Sequence, residues 1–389
     1  MIPNMEVEIA GVKWKNPVTV ASGTFGSGME YGEFVDLNKL GAITSKGVAI
    51  YPWEGNATPR VAETPSGMLN AIGLQNPGME VFKNRDIPFM KKYDTVSIVN
   101  VVGKSAEEYI QAVEALSDTD VDMLEINISC PNVKEGGIAF GTDKDVAAAL
   151  TKEIKAHAKQ PVIMKLSPNV TSISEMAKAV EAAGADALSL INTITGMKID
   201  VERQSIFLAN KTGGLSGPAI RPVAVRMVYE VAHSVNIPII GMGGITCASD
   251  ALEFILAGAT AVSVGTANFN NPNTPIEVVD GIRDYMVRKN IENIKDITGK
   301  RFGRLVAQEP TELRRNGSTV WLCQCDCGNV HLASYRTLVR GNTKSCGCLR
   351  MEGHAARWLL KRFSSEEEAV QFVRELYSKP SSNQLQDGK

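Results

Sequence analysis

The chain of 389 residues lacks most of the features that mark secreted, membrane-spanning or disordered proteins. Only Cys130 and Cys247 lie in the first 300 residues, too few for a disulfide framework. No run of about 18 apolar residues is free of charge, Gly or Pro, so no transmembrane helix is expected. The first residues lack the basic segment and apolar core of a signal peptide, so we expect a cytoplasmic protein. Hydrophobic residues make up 44% of the chain, which excludes disorder as its main state.

Charge and cysteine are distributed unevenly along the chain. Residues 1–300 hold 27 Lys+Arg and 34 Asp+Glu, whereas residues 301–389 hold 14 and 9. In the basic part, five cysteines lie within a span of 26 residues, and such a cluster indicates a metal site. An acidic body followed by a basic, Cys-rich tail indicates two units with different partners.

The body alternates between short β-rich runs and helical patterns. Several runs are apolar on both faces, as in parallel strands covered by helices. Amphipathic helices are predicted at 105–117, 173–183 and 249–256, and the last of these opens with a Ser cap and ends before Gly258. The predicted strands are 18–23, 42–47, 96–103, 123–131, 162–168, 187–193, 237–244 and 261–267.

Eight such units over about 250–300 residues predict an α/β fold of the (β/α)8 TIM-barrel type. A doubly wound sheet is the alternative, but residues 23–28 match its Gly-rich turn poorly. In a TIM barrel the active site lies at the C-terminal strand ends. Gly243, Gly244, Gly265 and Thr266 follow strands seven and eight, where barrels often bind phosphate on backbone N–H groups.

The other predicted strand ends carry polar side chains. Lys46 and Lys165 end apolar strands, and a lysine in such a place needs an anionic partner. Amide side chains offer both a donor and an acceptor, which suits a planar heterocycle such as a pyrimidine. Those amides are Asn70, Asn127, Asn132 and Asn192. Cys130 ends strand four, where an accessible thiolate would act as a base, although a free Cys is more often a small buried hydrophobe.

Several stretches along the body resemble class 1B dihydroorotate dehydrogenases. They include TPRVAET at 58–64, MLNAIGLQNPG at 68–78, INISCPNVK at 126–134, ANKTGGLSGPA at 209–219, GMGG at 241–244 and VGTANF at 264–269. The resemblance runs from about residue 5 to 297. We therefore expect a barrel domain at 1–298, a Cys-rich module at 299–350, and a helix with a disordered end at 351–389. It implies FMN, oxidation of (S)-dihydroorotate to orotate in pyrimidine synthesis, and Cys130 as the base, with Lys165 stabilising the reduced flavin.

The resemblance also implies ligand contacts and partners. FMN contacts would be Ser22, Lys46, Gly47, Asn100, Asn127, Lys165, Ile191, Gly217, Gly243, Gly244, Gly265 and Thr266. Substrate contacts would be Lys46, Asn70, Ala71, Ile72, Gly73, Leu74, Asn127, Asn132, Asn192 and Thr193. A second subunit with FAD and a [2Fe–2S] cluster would pass electrons to NAD, and the barrels would form a homodimer within a heterotetramer.

The basic tail resembles a small Cys-rich module of phage and mobile-element proteins. Its thiols predict a tetrahedral zinc site, with Cys325, Cys327, Cys346 and Cys348 as first choice and Cys323 or His331 as substitutes. An iron–sulfur cluster and reduced structural cysteines remain alternatives. Its basic charge is compatible with nucleic-acid contact or with a solvated face. A helix is expected at 364–376.

Two other functions remain open on the sequence. One is a related pyrimidine-reducing flavoprotein, such as the barrel part of dihydropyrimidine dehydrogenase. The other is a nucleic-acid-binding fusion in which the barrel is only a scaffold. The set of polar residues at the strand ends favours the dehydrogenase, because a scaffold would not need Cys130, Lys165 and several amides together.

Overall fold

The structure, a computed structural model, describes residues 2–128, 140–296, 301–315, 317–339 and 342–348. The chain divides into two compact units, Met1–Ile297 and Thr298–Lys389, and each is described by itself below. In the described part of the chain, no helix is both long enough and apolar enough to cross a membrane.

The first unit contains a barrel of eight parallel strands. The second to eighth strands pair in chain order, and the eighth pairs with the first. A gap in the pairing remains between the first strand and the second. Across the remaining gap, Gly41 donates its N–H to Val18 O at 3.0 Å, and the Thr19 and Thr44 hydroxyls lie 3.2 Å apart. The strands are β1 Val18–Val20, β2 Ala42–Thr44, β3 Val96–Val101, β4 Met123–Asn127, β5 Val162–Lys165, β6 Ala187–Leu190, β7 Ile239–Met242 and β8 Ala261–Val264. The predicted TIM barrel is confirmed, and the doubly wound sheet is wrong.

The observed strands are shorter than the predicted ones at their C-terminal ends. In the described part of the chain, the last predicted residues lie beyond the observed strands, although single backbone hydrogen bonds continue there, such as the one from Ile191 N to Met242 O at 3.0 Å. Within the strands nearly every residue is buried, as expected when helices cover one face and packed side chains fill the interior. Residues beyond the strand ends therefore form much of the rim of the barrel.

Helices alternate with the strands, and some of them begin at side-chain caps. Ser105 Oγ accepts from Glu108 N at 3.2 Å, and Ser172 Oγ accepts from Glu175 N at 3.3 Å. The third predicted helix begins one residue earlier than expected, with Cys247 rather than Ser249 before it. The α-helices are Met79–Val81, Ile87–Met90, Ala106–Ser117, Lys144–His157, Ile173–Ala182, Arg221–Ala232, Ala248–Leu256, Ala267–Asn270 and Thr274–Arg288. Shorter turns are the 3₁₀ segments Tyr31–Glu33, Leu37–Lys39, Pro218–Ile220 and Ile294–Asp296 and the π-helical Phe82–Asp86.

A small antiparallel sheet joins loops that leave different barrel strands. Its strands are Val61–Thr64, Gly67–Asn70, Ile194–Gly196 and Gly213–Ser216. Asn70 lies opposite Gly214 in its register, which brings the loop after β2 to the loop after β6. Two hairpins, Val7–Ile9 with Val12–Trp14 and Ile199–Asp200 with Ser205–Ile206, complete the described strands of this unit.

The second unit is a four-stranded antiparallel sheet with one short helix in its described part. The strands are β9 Arg301–Phe302, β10 Leu305–Arg315, β11 Ser318–Cys325 and β12 Val330–Ser334, and the helix is Tyr335–Val339. Leu305, Trp321, Cys323 and Leu338 form its small buried core. The helix predicted at 364–376 and the disordered end lie outside the described residues.

Candidate active site

A pocket opens at the C-terminal ends of the barrel strands. It has a volume of about 240 Å³, many times what one water molecule needs, so it suits an organic ligand. Each of the eight strands contributes to its lining, either through residues near its own C-terminal end or through the loop that follows it. Residues that line it include Ala21, Ser22, Lys46, Gly47, Asn70, Asn100, Asn127, Lys165, Ile191, Asn192, Thr193, Gly217, Gly243, Gly244, Gly265 and Thr266.

Two lysines set the charge of the pocket. Lys165 ends β5, its side chain is only 4% exposed, and its Nζ donates to Ser22 Oγ at 3.1 Å. Lys46 is half-buried, and a Cβ placed on Gly23 would lie 3.5 Å from its Nζ. Among the described lining residues, only these two side chains are acidic or basic. The lining is therefore cationic, and in a site that largely excludes water it favours an anionic ligand.

Three of the predicted amide side chains, those of Asn70, Asn127 and Asn192, belong to residues that line the pocket. Asn192 Nδ2 donates to Asn127 Oδ1 at 3.4 Å, and Thr193 N donates to Asn192 Oδ1 at 2.8 Å. Asn70 Nδ2 lies 3.5 Å from Gly214 O, on the small antiparallel sheet. These groups present donors and acceptors on one side of the pocket, which is what a ring with amide edges requires.

The loop after β7 needs glycine. Gly243 has φ +135°, and a Cβ there would lie 2.7 Å from Ala224 Cβ. Gly244 has φ +76°, and a Cβ there would lie 2.6 Å from Gly217 O. Any larger residue would force the loop apart, so the backbone itself forms this part of the lining. Nearby, Thr266 Oγ1 donates to Ser216 Oγ at 2.7 Å.

Two buried polar atoms of the lining residues have no partner within the described protein. They are Asn100 Oδ1 and Ser263 Oγ. Buried polar groups are normally satisfied, so these atoms fit a ligand that supplies hydrogen-bond donors or acceptors. Together with the glycine loop and two cations, they fit a flavin mononucleotide, which combines a polar ring system with a phosphate.

The structure brings most of the predicted site residues together. Every predicted FMN contact lines the pocket, as do the predicted substrate contacts Lys46, Asn70, Ile72, Gly73, Leu74, Asn127, Asn192 and Thr193. Ala71 does not line it, because its side chain packs with Ala62, Leu69 and Leu208. Cys130 and Asn132 lie outside the described residues.

Sequence analysis missed several residues at the site. Met68 and Ser216 line the pocket from the small antiparallel sheet, which gave no periodic signal in the sequence. Glu125 lies beneath the lining in β4, where its carboxylate contacts Lys165 and Asn100. Its signal was available, because an acidic residue inside an otherwise apolar strand needs a buried partner.

A second cluster of functional side chains lies in the Cys-rich unit. The Sγ atoms of Cys325, Cys327, Cys346 and Cys348 all lie within 4.8 Å of one another. Cys325 and Cys348 are 3.7 Å apart and Cys327 and Cys346 are 3.3 Å apart. Tetrahedral zinc with Zn–S bonds of about 2.3 Å places its sulfurs about 3.8 Å apart, so these thiols are arranged for such an ion.

Cys323 and His331 do not belong to this cluster. Cys323 is fully buried in the core of the unit, with its Sγ 3.7 Å from Trp321 O. Burial raises the pKa of this thiol to about 11. The fold therefore brings together the four cysteines that were the first choice of metal ligands from the sequence, and not the two substitutes.

Over its first unit, the chain is similar to known dihydroorotate dehydrogenases. The family model for dihydroorotate dehydrogenase matches residues 4–286. The catalytic subunit of dihydroorotate dehydrogenase B (NAD(+)) from Lachnoclostridium phytofermentans is 66% identical over 296 residues, which cover 76% of this chain and 99% of that protein. The corresponding subunit from Alkaliphilus metalliredigens is 59% identical over 296 residues, with 76% and 98% covered.

The barrel and its cationic, amide-lined pocket define an enzyme of the α/β-barrel class that acts on a small anionic ligand. The family model and the relatives show to which family of such enzymes the chain belongs. The chain belongs to the dihydroorotate dehydrogenase family.

Proposed function

We propose that this chain oxidises (S)-dihydroorotate to orotate in de novo pyrimidine biosynthesis, with FMN as its cofactor. The observation that carries the proposal is the pocket, in which Lys46 and Lys165 are the only acidic or basic side chains of the described lining, beside four asparagine amides. Dihydroorotate is a carboxylate on a ring with amide edges. Cations would bind the carboxylate, and the amides would pair with the ring.

The residues at the strand ends divide into those that would hold the cofactor and those that would hold the substrate. The glycine loop after β7 and Gly265 with Thr266 would bind the phosphate on backbone N–H groups. Ser22, Asn100 and Lys165 would contact the ring system. FMN, when bound, supplies the acceptor for a hydride. The buried Lys165 ammonium favours additional negative charge at the ring as that acceptor is reduced.

The substrate loses two hydrogens, and the chain handles one of them as a proton. Cys130 follows β4 closely in the chain, and as a thiolate it would take the proton from C5. The hydrogen on C6 leaves with the bonding electron pair. Asn127, Asn192 and Thr193 would hold the ring amides so that the C5 proton faces the base. Asn132, Asn70 and the 71–74 segment would complete the substrate contacts.

The electrons must leave the chain after each turnover. The relatives are named as the catalytic subunits of NAD(+)-linked enzymes, and that name supports a separate subunit as the electron carrier. We infer that this subunit holds FAD and a [2Fe–2S] cluster and reduces NAD⁺. A homodimer of barrels within a heterotetramer and a cytoplasmic location stay predictions from the sequence.

The purified chain tests this function directly. We expect visible flavin absorbance, or its appearance on addition of FMN, and orotate formation from dihydroorotate with an artificial electron acceptor. A protein that takes up no FMN contradicts the proposal. A protein that binds FMN but turns over only uracil or dihydrouracil identifies it instead as a pyrimidine-reducing flavoprotein.

For the second unit we infer a structural zinc ion on Cys325, Cys327, Cys346 and Cys348. A unit with so small a core gains its stability from such an ion. Elemental analysis of the full chain is expected to give one zinc per chain, lost in Cys348→Ser and kept in Cys247→Ser, whose thiol lies in the barrel. Iron with visible colour contradicts the assignment. The kinship with mobile-element modules and nucleic-acid binding stay predictions.

A further inference from the structure

Glu125 is a buried carboxylate that the proposed function does not use. It lies in the middle of β4, and its side chain is 4% exposed. A carboxylate taken out of water is retained in a fold when nearby groups compensate its charge and its hydrogen-bonding capacity. The identity of those groups shows what the residue does.

The partners of Glu125 come from three other strands of the barrel, β3, β5 and β6. Its Oε2 accepts from Asn100 Nδ2 at 3.0 Å, and its Oε1 accepts from Ser189 Oγ at 3.1 Å. Its Oε2 also lies 3.6 Å from Lys165 Nζ, whose side chain is likewise 4% exposed. Two of these partners, Asn100 and Lys165, line the pocket, whereas Ser189 does not. The carboxylate therefore contacts two residues of the pocket lining without being part of the lining itself.

The contact with Asn100 fixes the direction of an amide. An ionised carboxylate only accepts hydrogen bonds, so it draws the NH₂ group of Asn100 to itself and turns the carbonyl oxygen away. That oxygen, Asn100 Oδ1, is the buried lining atom without a partner in the described protein. Glu125 thus decides that Asn100 leaves an acceptor rather than a donor unpaired, and a Cβ placed on the lining residue Gly47 would lie 2.8 Å from that oxygen.

The contact with Lys165 sets a charge. The ammonium lies between Ser22 Oγ at 3.1 Å and the Glu125 carboxylate, in surroundings that screen charges little. The carboxylate holds the ammonium in place and offsets part of its field. How strongly Lys165 favours a reduced ligand in the pocket then depends on Glu125.

We propose that Glu125 is a positioning residue that orients Asn100 and moderates the charge of Lys165, and so tunes the reduction potential of the bound FMN. This inference rests on the proposed function. A purely structural ion pair would instead contribute to stability and leave the potential unchanged.

Glu125→Gln in the FMN-loaded chain separates these roles. Gln keeps the shape, accepts from Asn100 and donates to Ser189, but it removes the negative charge. We expect the midpoint potential to rise by roughly 30 mV or more, which is a tenfold change in the ratio of reduced to oxidised flavin. Ser189→Ala is the matched control, since it removes a partner of Glu125 outside the pocket, and it is expected to leave the potential unchanged.

Each outcome bears on one claim. An unchanged potential in FMN-loaded Glu125→Gln, with only a lower melting temperature, overturns the inference and leaves the proposed function standing. If Glu125→Gln does not fold, Glu125→Asp withdraws the carboxylate from Lys165, and a smaller rise is expected; no rise again overturns the inference. Wild-type protein that binds no FMN contradicts the proposed function, and the inference with it.

Discussion

Lys165 Nζ donates a hydrogen bond to Ser22 Oγ at 3.1 Å although the two residues lie 143 positions apart in the chain. The bond joins the end of β5 to the loop after β1 across the mouth of the barrel. It holds a buried cation at a fixed place in the pocket, where its charge acts on a ligand through little water.

Lys165→Met therefore removes a preorganised charge while keeping an unbranched side chain. We expect weaker FMN binding and flavin reduction by dihydroorotate slower by roughly 10²–10³-fold, the usual loss for one such group. Equilibrium binding and stopped-flow absorbance measure the two effects. Lys178→Met on the exposed face of a helix is the control, and wild-type behaviour of Lys165→Met would show that its charge is not used.

Cys130→Ser tests the base. Serine keeps the size of the side chain but is a far weaker acid, so we expect normal FMN and orotate binding with flavin reduction slowed by about 10²–10⁴-fold at neutral pH. Cys247→Ser, a thiol away from the pocket, serves as the matched variant and is expected to reduce at the wild-type rate. If both variants reduce equally fast, another group takes the C5 proton.

Asn192→Asp tests the amide cluster. The change is nearly isosteric, but it places a carboxylate where an anionic ring is expected to bind, so orotate affinity should fall by roughly tenfold or more. FMN content should remain. Asn273→Asp, at an exposed helix start, controls for the added charge. Unchanged orotate affinity in Asn192→Asp would place the substrate elsewhere in the pocket.

The Cys-rich unit is expected to be dispensable for the chemistry. Relatives of 66% and 59% identity are matched over 98–99% of their length by 296 residues of this chain, which leaves almost none of their length for such a unit. A chain ending after Gly299 should keep its FMN content and its oxidation of dihydroorotate. A chelator should remove zinc from the full chain and leave bound flavin unchanged. Loss of flavin in either experiment contradicts this independence.

Much of the fold could be predicted because its signals are local. Short β-rich runs gave all eight barrel strands, and the helix predicted at 105–117 is observed at Ala106–Ser117. The small antiparallel sheet was missed, since its strands pair segments as distant as Asn70 and Gly214. Such pairing depends on the finished barrel rather than on local pattern.

The site shows the same division. The lysines and asparagines at strand ends were found because polar residues after apolar strands stand out in a sequence. Glu125 was missed because the role of its carboxylate depends on partners from three other strands, and only the closed barrel brings these together. Ala71 was assigned to the substrate by its neighbours in a motif, yet its side chain faces a separate apolar cluster.

The central claim is that dihydroorotate reduces a flavin held at the C-terminal ends of the barrel strands. Anaerobic addition of (S)-dihydroorotate to the FMN-loaded chain tests it most directly, with the visible flavin band as the readout. The account predicts that the band bleaches and that one orotate appears per flavin, whereas the opposite enantiomer has no effect. A band that persists with dihydroorotate, but disappears with dithionite, would contradict it.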